Sequence, residues 1–332
     1  MRRDRGRPSG EFALIARLIA KLPRGRGTVI GPGDDAAVVR PGGGDLVITT
    51  DAIVEGRHFA RAWGRLPALR KRLAEAVGSR LAAANVSDLA AMGARPRWAV
   101  LSAGIRADGA ARLVRSQRAL ARALARAGAA LVGGNLCRVS GPEWLSLTLI
   151  GELRRGRVLA RDGARAGDWI AVTGAPGRAG SFARLANAGR MNRALAAAWV
   201  NPRSRASFAA ALAEGRLARA AIDLSDGLAA DLSHLARASG VSAELDACAW
   251  PTDAALAAAL APSDDYELIL AIAPARRARV LSLAHATRTP LAWIGRFQRG
   301  SAGAVFVRSE GGSRRRIVAR GFDHFARASR QR

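Results

Sequence analysis

Ile222-Asp223-Leu224-Ser225-Asp226-Gly227-Leu228 begins apolar, passes through two aspartates and a serine, and ends on a glycine that precedes an alanine-rich stretch. This order predicts a strand ending near Leu224 and a helix over 227–238, with the carboxylates at the turn between them. Ligands of α/β proteins collect where strands give way to helices. Ser225 or Asp226 would also serve as a plain helix N-cap, and that reading stays open.

Outward from this stretch, segments of the two periods alternate. Residues 169–172, 243–245, 268–272 and 291–294 read as strands, and 208–217 and 274–284 as helices, with Pro274 suited to a first helical position. Upstream, 46–50, 98–105 and 131–132 read as strands, as does the alternation of Leu145, Leu147 and Leu149 with Ser146 and Thr148. Residues 66–92 and 111–127 read as helices. Arg154, Arg155, Arg157, Arg161 and Arg165 interrupt the apolar pattern. They place a boundary between an N-terminal domain, 1–152, and a C-terminal domain, 153–332. The fold class is mixed α/β (α+β) in two halves.

With 332 residues, 49% of them hydrophobic, the chain can bury a sizeable core and is not a disordered one. No apolar run approaches the roughly 20 residues of a membrane span. Residues 12–22 are broken by Arg17 and Lys21 and read as an amphipathic helix, not a secretory core. Cys137 and Cys248 are too far apart for a metal-ligand pattern, which suits a reducing compartment and a cytoplasmic protein. Formal net charge is +27, yet lysine occurs only at Lys21 and Lys71; arginine and alanine dominate as a base-composition bias would produce. The arginines are scattered and few aromatics stand among them, which argues against a stacking platform for nucleic acid. Anionic metabolites such as ATP would still be drawn in.

Against that basic background four acidic patches stand out: Asp34-Asp35 after Gly31-Pro32-Gly33, Thr49-Thr50-Asp51, Asn85-Val86-Ser87-Asp88, and 223–226. Clustered carboxylates repel one another unless a cation holds them, and hard cations such as Mg²⁺ take oxygen ligands. Asp88 lies in a strongly apolar stretch, so burial would oblige it to meet a metal, an arginine or a set of donors. An ordinary polar turn at 31–36 and a structural salt bridge at Asp88 are the competing readings.

Taken in order, these strings resemble the thiamine-monophosphate kinase family, within the superfamily of aminoimidazole-ribonucleotide synthetase and selenophosphate synthetase. The resemblance runs from Gly10-Glu11-Phe12 to Gly321-Phe322-Asp323-His324-Phe325. Its most specific parts are Asn85-Val86-Ser87-Asp88-Leu89-Ala90-Ala91-Met92-Gly93-Ala94 and 222–228. It implies a two-domain aminoimidazole-ribonucleotide-synthetase-like architecture, a homodimer paired through N-terminal halves, and transfer of the γ-phosphoryl group of ATP to thiamine monophosphate. Mg²⁺ ligation would fall to Asp35, Thr49, Thr50, Asp51, Asp88, Asp223 and Asp226, and ATP contacts to Gly134, Arg161 and Ser225. His58, Asp264 and Phe322 would contact the substrate. The acceptor is already an anionic phosphate, so no general base is implied. Arg161 and several Mg²⁺ ions would offset charge repulsion in an in-line transfer.

Two departures accompany the resemblance. Gly133-Gly134-Asn135 replaces the family's Gly-Gly-Asp, exchanging a charged Mg²⁺ ligand for the neutral Asn135. Pro262-Ser263-Asp264-Asp265-Tyr266-Glu267 replaces Gly-Gly-Glu-Asp-Tyr-Glu. These leave open a paralogue acting on another phosphorylated substrate, a degenerate nucleotide binder, or a basic nucleic-acid-binding protein.

Overall fold

The computed structural model describes residues 18–19, 22, 25–30, 38–250 and 252–319. Asp34, Asp35 and Phe322 lie outside the described residues. Two compact units emerge. One comprises Met1–Val158 with Phe182–Gly215, the other Leu159–Ser181 with Arg216–Arg332. The expected boundary at 152/153 compares with a division at Val158/Leu159, after which the segment Phe182–Gly215 belongs with the first unit.

In the first unit β1 (Thr28–Ile30) and β2 (Val38–Val39) form a small antiparallel ribbon. The main sheet runs β3 (Asp45–Val54), β6 (Trp144–Leu153), β4 (Arg95–Ile105), β5 (Ala130–Arg138), in that spatial order. β3 and β6 pair antiparallel without interruption from Asp45↔Leu153 to Val54↔Trp144. One face carries α1 (Leu73–Ala91) and α2 (Ala110–Ala127). Apolar nearly all round, α1 is buried between the sheet, α2 and two later helices, α4 (Arg193–Val200) and α5 (Ala206–Glu214). Gly78 lets α1 approach α2, since a Cβ there would overlap the Ser116 carbonyl oxygen.

Helix α1 begins at Leu73, not near Leu66. Leu66 precedes Pro67 and is extended (ψ 134°), because the proline ring disfavours a helical residue before it. A short 3-10 turn, Arg61–Arg65, and a run of turns occupy the space instead. The Phe182–Gly215 segment is tied to this unit by aromatic packing. Trp63 stands edge-on to Phe182 and Trp199, at 5.5 and 5.3 Å between ring centroids, and its indole N–H donates to Asn187 Oδ1 at 2.9 Å. The buried Arg80 guanidinium covers Trp199 at 4.9 Å.

The second unit is a seven-stranded sheet in the order β13 (Arg314–Ile317), β12 (Val305–Arg308), β9 (Ser242–Asp246), β11 (Leu291–Gln298), β7 (Trp169–Thr173), β10 (Glu267–Ile272), β8 (Ala220–Leu224). Its pairs are antiparallel except for β12 with β9. Helix α6 (Leu228–Ala238) seals one face through Leu228, Leu232 and Leu235 against Ile170, Ile222, Ile269 and Phe297. The basic stretch around 313–316 is strand β13, at the sheet edge, where charged side chains oppose edge-to-edge pairing. Pro274 opens a 3-10 turn, Pro274–Arg276, from which α7 (Arg277–Ala286) continues. The two-domain mixed α/β architecture therefore stands as expected.

Candidate functional site

In the first unit two of the acidic strings, 49–51 and 85–88, meet on the seam between β3 and α1. Alternation along β3 puts Thr49, Asp51 and Ile53 on the helix side of the sheet. Thr49 Oγ1 donates to Asp88 Oδ2 at 2.6 Å, joining β3 to the later part of α1. Asp88 is half-buried, whereas Asp51 is exposed. Thr50 faces the other way; its hydroxyl donates to the Leu147 carbonyl and accepts from Thr148, both at 3.2 Å. Register extends this division across the sheet. Asp51, Leu147, Leu101 and Gly134 share one row, while Ala52, Ser146, Ser102 and Asn135 form the next, on the opposite face. Thr49, Asp51, Asp88 and Gly134 therefore share a face that Thr50 and Asn135 do not.

His58 closes the turn after β3, where its Nδ1 accepts the Val54 N–H at 3.0 Å, so the ring proton of the neutral form sits on Nε2. Glu55 in the same turn is held by Arg106 at 2.6 Å. Arg106 also lies 3.9 Å from Glu143, which Arg112 grips at 2.7 Å together with Asp108 at 2.9 Å. Hydrogen bonding to Arg112 holds the Asp108 carboxyl down at about 2. Burial pushes Glu143 up, but the Arg112 hydrogen bond, the Arg106 amide and both guanidinium charges leave it below the usual range.

In the second unit three loops meet at one end of the adjacent strands β7, β10 and β8. They are the turn after β7, the turn after β8, and the segment entering β10. Asp223 is buried at the end of β8, with Ser225 and Asp226 following in the turn. The N-cap reading of this turn is answered by a residue the sequence analysis passed over. Asp231, buried in the first turn of α6, accepts the backbone N–H groups of Ser225, Asp226 and Gly227 at 3.1, 3.0 and 3.0 Å, all on Oδ2. Burial, reinforced by the Asp226 charge and opposed by those donors, pushes Asp231 up to about 7. Its signal in the sequence was an aspartate four residues after the glycine of Ser-Asp-Gly.

The turn after β7 is built in the same way. Gly174, Gly177 and Gly180 lead from the strand into α3 (Arg178–Asn187). This glycine-rich strand-to-helix turn could cradle a phosphate with its amides, yet they are already engaged. Asp265 accepts the N–H groups of Gly177 and Ala179 at 2.6 and 2.9 Å, and Ser263 Oγ accepts that of Gly180 at 2.8 Å. Glu267 accepts the Thr173 hydroxyl at 2.5 Å. Asp264 thus sits in a segment pinned on both sides, followed by Tyr266 at φ 56°, an uncommon backbone for a bulky residue. Burial raises the Asp265 carboxyl above its ordinary value against the pull of its N–H and hydroxyl donors. Ser263 and Asp265 were legible as residues, but their capping of a turn over 80 residues away was not.

Arg161 is anchored elsewhere. Its carbonyl accepts the hydroxyl of Ser239, the C-cap of α6, and the Ala160 carbonyl accepts the Ala221 N–H, which fixes the Arg161 backbone at the end of β8 opposite the Ser225 turn. Among the described residues no group of three or more carboxylate, histidine or cysteine side chains converges to metal-ligating distance. The donors on the β3 and α1 seam, two carboxylates and a hydroxyl, are all hard oxygens and suit Mg²⁺ in kind.

Residues 33–153 match the AIR synthase related protein N-terminal domain, and 165–308 match the C-terminal domain of the same proteins. Fold and site therefore define an AIR synthase related protein. The thiamine-monophosphate kinase of Salmonella typhimurium is 35% identical over 96% of this chain and 98% of its own length. The crystal structure of thiamine-monophosphate kinase from Stenotrophomonas maltophilia superposes with a TM-score of 0.75 at 33% identity, covering 90% of this chain and 94% of that one. AaThiL complexed with AMPPCP and TMP superposes at 0.70 and 29% identity, covering 95% and 97%. The chain belongs to the thiamine-monophosphate kinase family.

Proposed function

We propose that this protein transfers the γ-phosphoryl group of ATP to the phosphate of thiamine monophosphate, giving thiamine diphosphate and ADP. The observation that carries this reading is the state of the two turns in the second unit. Both have the backbone form of an anion cradle, and Asp231, Asp265 and Ser263 occupy their amides. Phosphate groups at these carboxylate-rich turns thus need cations for recognition. Bound Mg²⁺ would supply the charge neutralisation that lets one phosphate attack another. In the first unit Asp35, Thr49, Asp51 and Asp88 are proposed as Mg²⁺ ligands, with Thr50 and the neutral Asn135 proposed for a separate ion on the other face of the sheet; in the second unit Asp223 and Asp226 are proposed for Mg²⁺. Gly134, Arg161 and Ser225 are proposed for ATP, and His58, Asp264 and Phe322 for the acceptor. The chain's own residues position and neutralise; none need act as a general base.

The protein works as a homodimer in this reading. Support comes from the sheet face opposite α1, where Leu46, Ile48 and Val100 are 49, 64 and 39% exposed and form an apolar surface suited to a second copy. It acts in the cytoplasm, where the exposed thiols of Cys137 and Cys248 stay reduced. No described helix is long and apolar enough to cross a membrane.

The test is an assay with purified protein, ATP, Mg²⁺ and thiamine monophosphate that follows thiamine diphosphate directly. Product that disappears in Asp51→Ala is expected. A folded protein that makes no product overturns the reading.

A further inference from the structure

The first unit holds a half-open cavity of about 200 Å³ that none of the proposed ligand residues line. It lies where β3 and β4 end and β6 begins, under the first turns of α1 and α2. Ile53, Val77, Leu113 and Trp144 are among its apolar walls. Ile53 stands four residues beyond Thr49 on β3, which puts the cavity about 13 Å along the strand from the Thr49 and Asp88 contact.

Its charge is one-sided. Arg61, Arg70, Lys71, Arg112 and Arg115 line it against the single carboxylate of Glu143. Arg112 is spent on Glu143 and Asp108, and Arg61 lies near Glu55 and Asp108. Arg70, Lys71 and Arg115 have no ion pair among the described residues, and all three are exposed. The helices add to this field. Neither α1 nor α2 has a side-chain N-cap, and the opening turns of both line the cavity; α1 carries Glu75 in its first turn, whereas α2 carries no acidic residue there. The positive dipole end of α2 is therefore the less compensated of the two.

Size and chemistry together select the occupant. An apolar cavity of about 150 Å³ holds a benzene ring, so this one has room for one ring and a small substituent. Apolar walls favour the ring, and three cations with no ion pair among the described residues, beside the α2 N-terminus, favour an anionic substituent. We propose that this cavity is a second ligand site, distinct from the phosphoryl-transfer residues, that takes a single-ring aromatic anion bearing a phosphate or carboxylate group. Glu143 does not oppose such an anion strongly, because Arg112 and Arg106 neutralise it.

The test titrates phenyl phosphate, benzoate and the neutral benzyl alcohol into the full chain in Mg²⁺-free buffer, read by calorimetry. Both anions are expected to saturate, and benzyl alcohol to bind about tenfold more weakly or less. Lys71→Glu with Arg115→Glu is expected to weaken phenyl phosphate about tenfold or more, with an unchanged circular dichroism spectrum and unchanged kinase turnover. Val77→Trp, which fills the cavity, is expected to abolish binding, and Asp51→Ala to bind as wild type does. Equal binding of the neutral probe, binding unaffected by charge reversal, loss of binding in folded Asp51→Ala, or no saturation by either anion each overturns the proposal. Each of these outcomes leaves the thiamine-phosphate assay untouched, so the two readings fail separately.

Discussion

The Thr49 hydroxyl and the Asp88 carboxylate meet at 2.6 Å, although 39 residues separate them in the chain. Their hydrogen bond fixes which carboxylate oxygen faces the strand. It couples two of the acidic strings, the one on β3 and the one on α1. Asp88→Ala is expected to lower turnover by about 100-fold or more. Thr49→Ala removes only the orienting donor and is expected to raise the Mg²⁺ concentration for half-maximal rate by about tenfold, with kcat nearly restored at saturating Mg²⁺. Mg²⁺ titrations of both variants check this, and a Thr49→Ala enzyme with an unchanged Mg²⁺ profile counts against the orienting role.

Asp265 pins the segment that carries Asp264. Asp265→Ala strips an acceptor from two buried amides at the start of α3, so a stability loss of about 1–3 kcal/mol is expected in chemical denaturation. The freed segment should raise KM for thiamine monophosphate more than it lowers kcat. Ser263→Gly restores the family's glycine but removes the hydroxyl that accepts the Gly180 N–H, so a smaller change of the same kind is expected. A Ser263→Gly enzyme with a lower KM than wild type would show that the glycine, not the cap, matters there.

Ile48 is 64% exposed on the sheet face opposite α1. A carboxylate at that position would be trapped without a partner if a second copy covered it. Sedimentation velocity of Ile48→Asp is accordingly expected to show monomer where wild type sediments as dimer. A wild-type chain that is monomeric at assay concentrations removes the basis for the dimer.

Arg112 links Asp108 and Glu143, and both carboxylates titrate below their ordinary values of 3.8 and 4.5. A carboxylate whose folded pKa is depressed adds stability above its unfolded value and loses it as pH falls through the folded one. The stability gap between wild type and Arg112→Met is therefore expected to be full near neutral pH and to shrink from about pH 4.5 toward about pH 2. Denaturant midpoints measured across that range test the sign. A gap that widens on acidification would mean that the cluster is held by something other than the Arg112 charge.

Local signals decided much of this protein. Hydrophobic period and turn chemistry are properties of neighbouring residues, so the strand over 220–224, the helix after Gly227, the buried core of α1 and the acidic strings were readable in the linear chain. Pro67 is an equally local signal, and it explains why the helix expected from Leu66 starts at Leu73.

Tertiary structure alone decided which residues meet. Strand register set Asn135 and Thr50 on the opposite face from Asp51, because a side chain's face depends on the pairing of the whole strand. Packing of Trp199 and Phe182 on Trp63 returned residues 182–215 to the first unit, and the path of the chain along β8 set the Arg161 backbone at the far end from Ser225. Asp231, Asp265 and Ser263 filled the amide cradles of two turns. Asp265 and Ser263 do so from more than 80 residues away, a relationship that no spacing in the linear chain encodes, because it exists only once non-local strands pair.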